Sequence, residues 1–122
     1  MNKRILIADD EPNIVTLLEF LMQQSGYDIR SASNGEDALR AVSEYHPHLV
    51  LLDVMMPLRN GYEVCQTMRE SPEFDDVKII MLTAKGREAE MAKGLASGAD
   101  AYVTKPFATK ELVETVKRLL EP

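Results

Sequence analysis

Leu49-Val50-Leu51-Leu52-Asp53-Val54-Met55-Met56-Pro57 is the stretch whose reading decides the fold. Four apolar residues in a row, Leu49 to Leu52, read as a strand buried on both faces, the kind that lies inside a parallel sheet. Asp53 follows directly, and Pro57 keeps the strand from continuing because it has no N–H to give to a ladder. Ligands of open parallel α/β sheets bind beyond the carboxyl ends of the strands. Asp53 is expected at such an end.

One aspartate leaving a strand is an ordinary polar residue, but the other strand ends repeat the pattern. Ile5-Leu6-Ile7-Ala8 runs into Asp9-Asp10, Val77 to Leu82 runs into Thr83, and Ala101 to Thr104 runs into Lys105. Four segments thus deliver three carboxylates, one hydroxyl and one ammonium to the same rim.

The 122 residues suffice for one domain with a real core, read here as a single unit over 1–122. Whether it is a whole protein or part of a longer one is open at this stage. The net charge of −6, from 14 basic and 20 acidic side chains, argues against nucleic-acid binding by this segment, which would call for a basic patch. A single cysteine, Cys65, excludes an internal disulfide. No apolar run approaches the roughly 20 residues of a membrane span, and Met1-Asn2-Lys3-Arg4 leads straight into a strand without a signal-peptide core. A soluble, cytoplasmic protein is the expectation.

Between the strands the pattern turns helical. Glu11-Pro12 reads as a helix start, and Ile14, Leu17, Leu18, Leu21 and Met22 recur at helical spacing up to Gly26. Asp28 to Ala32 is a short, diluted strand. Asn34-Gly35 turns the chain into a second helix marked by Ala38, Leu39, Val42 and Tyr45. A third helix follows Asn60-Gly61 with Val64, Cys65 and Met68 inward, and Ser71 to Asp76 reads as a polar loop. Arg87 to Ser97 reads as a weak helix, with Gly94 and a small-residue face, and Leu112 to Leu120 as a strong final one. Five βα repeats imply a parallel sheet with right-handed crossovers and helices on both faces. The first, third and fourth strands are the most apolar and should be central. The expectation is a doubly wound α/β fold of flavodoxin-like order 2-1-3-4-5, whose switch point between strands one and three gathers Asp9, Asp10 and Asp53.

Three converging carboxylates repel one another, and at least one pKa should rise unless a cation intervenes. Hard oxygen donors filling part of a coordination sphere suit Mg²⁺, which keeps several waters and often shares a phosphate. Lys105 and Thr83 add a cation and a hydroxyl donor, so the set fits transfer of a phosphoryl group onto a carboxylate. Each part has a plainer alternative: Asp9 or Asp10 capping the first helix, Thr83 in a turn, Lys105 a solvated charge, Tyr102 mere packing on an edge strand. His46 and His48 flank Pro47 away from the rim, Cys65 and the methionines read as core filling, and Glu73, Asp75 and Asp76 as a solvated run.

Along essentially its whole length the sequence resembles the receiver domains of two-component response regulators, in particular chemotaxis-regulator-like ones. The motifs that carry the resemblance are Asp9-Asp10, Asp53 with Met56-Pro57, Asn60-Gly61, Thr83-Ala84, Gly98-Ala99-Asp100-Ala101-Tyr102 and Lys105-Pro106-Phe107, in that order. The resemblance implies a phosphorylation-dependent signalling switch, not an enzyme with a dissociable substrate. Asp53 would accept a phosphoryl group from a histidine of a sensor kinase or phosphotransfer protein. Mg²⁺ would be held by Asp10, Asp53 and the Met55 main-chain carbonyl, with Asp9 acting mainly through water. Thr83 and Lys105 would hold phosphoryl oxygens, Thr83 and Tyr102 would form the switch, with Tyr102 turning inward, and Pro106 would follow a cis bond. The changed surface around the helix over 87–97 and the fifth strand would control a downstream effector protein or domain. A phosphorylation-dependent dimer also belongs to the family, but Ala101 stands where receivers that pair through this surface often carry Asp, which counts against that mode. Arg59 occupies a variable loop position near the site.

Two other classes share the topology. A Mg²⁺-dependent phosphohydrolase with Asp53 as nucleophile would need a carboxylate two residues on, where Met55 stands. A mononucleotide or flavin module would want a Gly- or Ser/Thr-rich phosphate loop after the first strand, where Ala8-Asp9-Asp10-Glu11-Pro12 would repel phosphate.

Overall fold

Burial runs without a break through β3 (Leu49–Asp53), as it must for a strand paired on both edges and covered on both faces. A computed structural model describes residues 2–84 and 96–121. Around β3 lie β1 (Arg4–Ala8), β2 (Asp28–Ala32), β4 (Lys78–Ala84) and β5 (Ala101–Lys105), all parallel, in the order β2-β1-β3-β4-β5. The helices among the described residues are α1 (Pro12–Gln24), α2 (Gly35–Tyr45), α3 (Gly61–Arg69) and α4 (Thr109–Leu120). The doubly wound sheet and its order are those expected from the sequence.

The sheet separates two apolar layers. Leu6, Val50, Leu52, Ile79 and Met81 point to one side, where α2 and α3 cover them with Ala38, Val42, Val64, Cys65 and Met68. Ile5, Ile7, Leu49, Leu51, Ile80 and Leu82 point to the other, under Leu18 and Met22 of α1 and Leu112 and Val116 of α4. Alternation along each strand produces this division. β2, with three exposed residues out of five, is an edge strand.

Local signals set the ends of the elements. Pro12 opens α1 at a position whose N–H would be unsatisfied anyway. Asn34 caps α2 by accepting from the Asp37 N–H at 2.8 Å. α3 begins with a capping box: Asn60 accepts from the Glu63 N–H at 2.9 Å, and Glu63 accepts from the Asn60 N–H at 3.0 Å.

Three expectations need adjustment or fall outside the structure. The fourth strand begins at Lys78, because the Val77 N–H is spent on the Phe74 carbonyl, and it extends through Thr83 to Ala84 because pairing with β5 continues that far. The polar loop 71–76 contains a 3₁₀ turn, Pro72–Phe74, that tucks Phe74 into the core while Glu73, Asp75 and Asp76 stay exposed. The helix expected over Arg87–Ser97, with Gly94, lies almost wholly outside the described residues.

Arg69 ties the far ends of several elements together. Its guanidinium donates to the carbonyls of Gly98, Phe74 and Val77 at 2.9, 2.9 and 2.8 Å and to the Asp100 carboxylate at 3.0 Å. Asp100 in turn accepts from the Ile79 N–H at 2.8 Å, so the approach to β5 is fixed against β4.

Candidate functional site

The parallel register brings the strand ends to one rim. Asp53 lies beside Leu82 and Lys105 beside Ala84, while Asp9 is one residue beyond Ala8, the partner of Leu52. The outcome is a group of three carboxylates, Asp9, Asp10 and Asp53, that bring one oxygen each within 4.8 Å of one another. Asp9 and Asp53 are buried and Asp10 is exposed, so the cluster opens to solvent on the Asp10 side.

Lys105 reaches into this cluster. Its Nζ is 2.8 Å from Asp9 Oδ2, 3.1 Å from Glu11 Oε1 and 3.5 Å from Asp53 Oδ1. Burial pulls the pKa of the ammonium down, but the hydrogen bond it donates to Asp9 and the charges of Asp53 and Asp9 outweigh it and the net shift is upward. The ammonium is therefore a fixed charge, not the solvated one that a strand end alone would suggest. Asp9 also accepts from the Glu11 N–H at 2.9 Å. Glu11 itself is the residue that starts α1, and it makes no side-chain capping bond there.

Asp53 carries the strain of the arrangement. Burial raises its pKa most, the Asp9 charge adds to the rise, and Lys105 and the Met55 N–H (3.3 Å to Oδ1) offset part of it; the result is about 7. A carboxyl titrating that far above its ordinary range, beside a cation and two further carboxylates, marks a site built for a negatively charged or cationic visitor. Thr83 is 1% exposed, and its Oγ1 has no hydrogen-bond partner among the described residues. A buried hydroxyl left so costs free energy and is available to a group entering the rim.

The loop after β3 is held from two sides. Gly61 N–H donates to the Val54 carbonyl at 2.9 Å, and a Cβ on Gly61 would lie 2.5 Å from the Asp53 carbonyl oxygen and 2.9 Å from Val54 Cα. At the other side Gly35 abuts the Arg59 backbone so closely that a Cβ would overlap the Arg59 carbonyl. Gly35 N–H and Arg59 N–H both donate to the Pro57 carbonyl, and Arg59 pairs with Glu36 of α2 at 2.9 Å. Leu58, with a φ of 69°, is the left-handed residue that makes this turn. Arg59 thus points at α2 and pairs there.

Most sequence-identified positions converge. Asp9, Asp10, Asp53 and Lys105 meet directly, Thr83 lines the same end of the sheet one layer away, and the Lys105–Pro106 bond is cis. Met55 lies at the exposed rim, with its N–H on Asp53. Tyr102 is half-buried, packs on the α2–α3 side and shares a 2.8 Å hydrogen bond between hydroxyls with Tyr62. His46 and His48 are at the opposite end, where His48 Nδ1 accepts from the Arg4 N–H at 2.9 Å. Sequence reasoning did not single out Glu11 or Tyr62. The acidic run Asp9-Asp10-Glu11 offered a signal for the first; for Tyr62, one aromatic in a helix, there was none.

Residues 5–117 match the family model of the response regulator receiver domain. The alkaline phosphatase synthesis transcriptional regulatory protein PhoP of Bacillus subtilis (strain 168) is 47% identical over 120 residues, covering 98% of this chain and 49% of that protein. The chain thus spans about half the length of that curated relative. A crystal structure of a chain from Chloroflexus aurantiacus J-10-fl, described as that of a response regulator, superimposes with a TM-score of 0.95 at 34% identity, over 100% of both chains. The receiver domain of sensor histidine kinase PA1611 from Pseudomonas aeruginosa PAO1, with a magnesium ion coordinated in its active-site cleft, superimposes with a TM-score of 0.91 at 26% identity, again over 100% of both chains. A fold shared from end to end and a family match across nearly every residue fix the assignment that the acidic rim suggested: the chain belongs to the receiver-domain family of two-component response regulators.

Proposed function

We propose that the chain is a phosphorylation-controlled switch in which Asp53 takes a phosphoryl group from a histidine of a sensor kinase or phosphotransfer protein. A carboxylate oxygen of Asp53 attacks phosphorus, the P–O bond forms as the P–N bond breaks, and the leaving imidazole nitrogen recovers a proton. Asp53 reacts only as the carboxylate, so the proton it holds at a pKa of about 7 has to leave first. Lys105, at 3.5 Å, favours the ionised form and is placed to follow the new negative charge onto a phosphoryl oxygen. Thr83 supplies its unpartnered Oγ1–H as a second donor.

The donor set fits Mg²⁺: hard carboxylate oxygens within 4.8 Å, open to solvent at Asp10. Asp10, Asp53 and the main-chain carbonyl of Met55 would hold the ion, with Asp9 acting through water while it keeps its bond to Lys105. When bound, the ion neutralises the crowded carboxylates and the charge on the transferred group. The magnesium in the cleft of the PA1611 receiver domain supports this reading.

The chain's own chemistry is then confined to gaining and losing one phosphoryl group, and no dissociable organic substrate is required. The likeness to a transcriptional regulatory protein supports an effector that acts on transcription, while this acidic segment itself reads no nucleic acid. The reading puts the chain in the cytoplasm, where the phosphodonor is made. Among the described residues, no helix is long and apolar enough to cross a membrane.

The observation that carries the proposal is the Lys105 ammonium set between two buried carboxylates, with the unpartnered buried hydroxyl of Thr83 one residue past the register partner of Asp53. Incubation with Mg²⁺ and a small phosphodonor should add the mass of one phosphoryl group to the intact chain. Full labelling of an Asp53→Asn variant, or labelling undiminished by a chelator, would refute it.

A further inference from the structure

Strand register divides the site between the two faces of the sheet. Asp53 pairs with Leu82, and Lys105 shares its face with Val103, so both belong to the side covered by α1 and α4. Thr83 shares its face with Met81, and Met81 is the register partner of Tyr102, so Thr83 and Tyr102 belong to the side covered by α2 and α3. Tyr102 is the diagonal neighbour of Thr83 on that face, within reach of an aromatic ring. Its hydroxyl meets that of Tyr62, a buried residue in the first turn of α3, at 2.8 Å. That first turn is also seated on the phosphoacceptor strand: Gly61 donates to the Val54 carbonyl and leaves no space for a Cβ over the Asp53 carbonyl. One turn of helix therefore touches both the backbone of Asp53 and the ring of Tyr102.

We infer that Tyr62 is a positioning residue that holds Tyr102 turned inward before any phosphoryl group arrives. The inference rests on the reading of Asp53 as the phosphoacceptor and of Thr83 as the residue that moves toward its phosphoryl group, with the inward turn of Tyr102 made in advance. In the unphosphorylated chain Tyr102 already packs against the α2–α3 core and is bonded to a side chain that is only 7% exposed. Thr83 then moves toward a phosphoryl oxygen beside a ring that is already in place, and α3 carries part of the connection between rim and ring.

The chain has four tyrosines and no tryptophan, so ring-labelled tyrosine gives a spectrum of four residues in which Tyr27 and Tyr45 serve as references. The test compares wild type with Tyr62→Phe by nuclear magnetic resonance in the presence of a soluble paramagnetic agent, before and after phosphorylation with Mg²⁺ and a small phosphodonor. In Tyr62→Phe at rest the outward-to-inward ratio of the Tyr102 ring should rise about two- to tenfold, the worth of one hydrogen bond, while Tyr27 and Tyr45 keep their protection. Phosphorylation should restore Tyr102 protection in the variant and change it little in the wild type. Resting protection of Tyr102 equal in the two proteins would overturn the inference, as would a rise shared equally by Tyr27 and Tyr45. Intact mass recorded on the same samples keeps the two readings apart. A wild type that takes no phosphoryl group defeats the phosphoacceptor assignment, whereas the resting comparison alone decides the role of Tyr62.

Discussion

Asp53 has its carboxyl buried, faces Asp9 across the rim and receives from Lys105 a pairing 3.5 Å long, so its pKa of about 7 makes stability depend on pH with a definite sign. The folded chain holds a proton that the unfolded chain releases near pH 4. The contribution is therefore fully present below pH 4 and is lost as pH rises through about 7, with a ceiling of about 4 kcal/mol for a shift of this size. Asp53→Asn removes the titrating group and keeps the shape. Urea melts at pH 5 and pH 8 should show a wild type that weakens over this interval and a variant that weakens much less. At pH 8, without metal, the variant should be the more stable. A variant weaker than wild type at pH 8 would mean that the pairing with Lys105 outweighs burial and repulsion.

At the scale of elements, α3 is held by its surroundings at both ends. Its start is fixed by the Asn60–Glu63 capping box and by the approach of Gly61 to the backbone of β3. A methyl group at residue 61 would meet main-chain atoms, which cannot swing aside as a side chain can. Gly61→Ala should therefore cost about 1–3 kcal/mol, seen as a lower urea midpoint at unchanged slope. It should also slow phosphorylation, because relief of the clash displaces the loop that leads to Met55. A change below about 0.5 kcal/mol, the usual range of surface substitutions, would show that α3 can back away from the strand at little cost. The other end of α3 is held by Arg69, whose guanidinium satisfies three carbonyls and the Asp100 carboxylate. Neither attachment could be read in the sequence. The turn into α3 showed in Asn60-Gly61, but its capping box did not, and the partners of Gly61 and Arg69 are distant in the chain and depend on how strands and helices stack.

For the molecule as a whole, apolar runs and turn residues were enough to reveal the sheet order, since β1, β3 and β4 are continuous hydrophobic stretches and β2 is not. The rim was legible for the same reason: parallel strands place their last residues together, so Asp9, Asp53, Thr83 and Lys105 could be grouped from position alone. Pairings that need side-chain reach were not, which is why Glu11 on Lys105 and Tyr62 on Tyr102 emerged only in three dimensions. If the grouped carboxylates are the Mg²⁺ site, the ion should stabilise the wild type by about 2.7 kcal/mol at a hundredfold excess over its dissociation constant. Asp10→Asn should respond much less, and equal responses in paired urea melts would place the ion elsewhere. The division of the site between the sheet's two faces has a further consequence. Nucleophile and lysine are backed by α1 and α4, threonine and tyrosine by α2 and α3, and among the described residues the strands and the first turn of α3 join them. Mutational drift in one layer leaves the packing of the other intact, so what charges the switch and what reads it can diversify along separate lineages of substitutions on one unchanging chemical hinge.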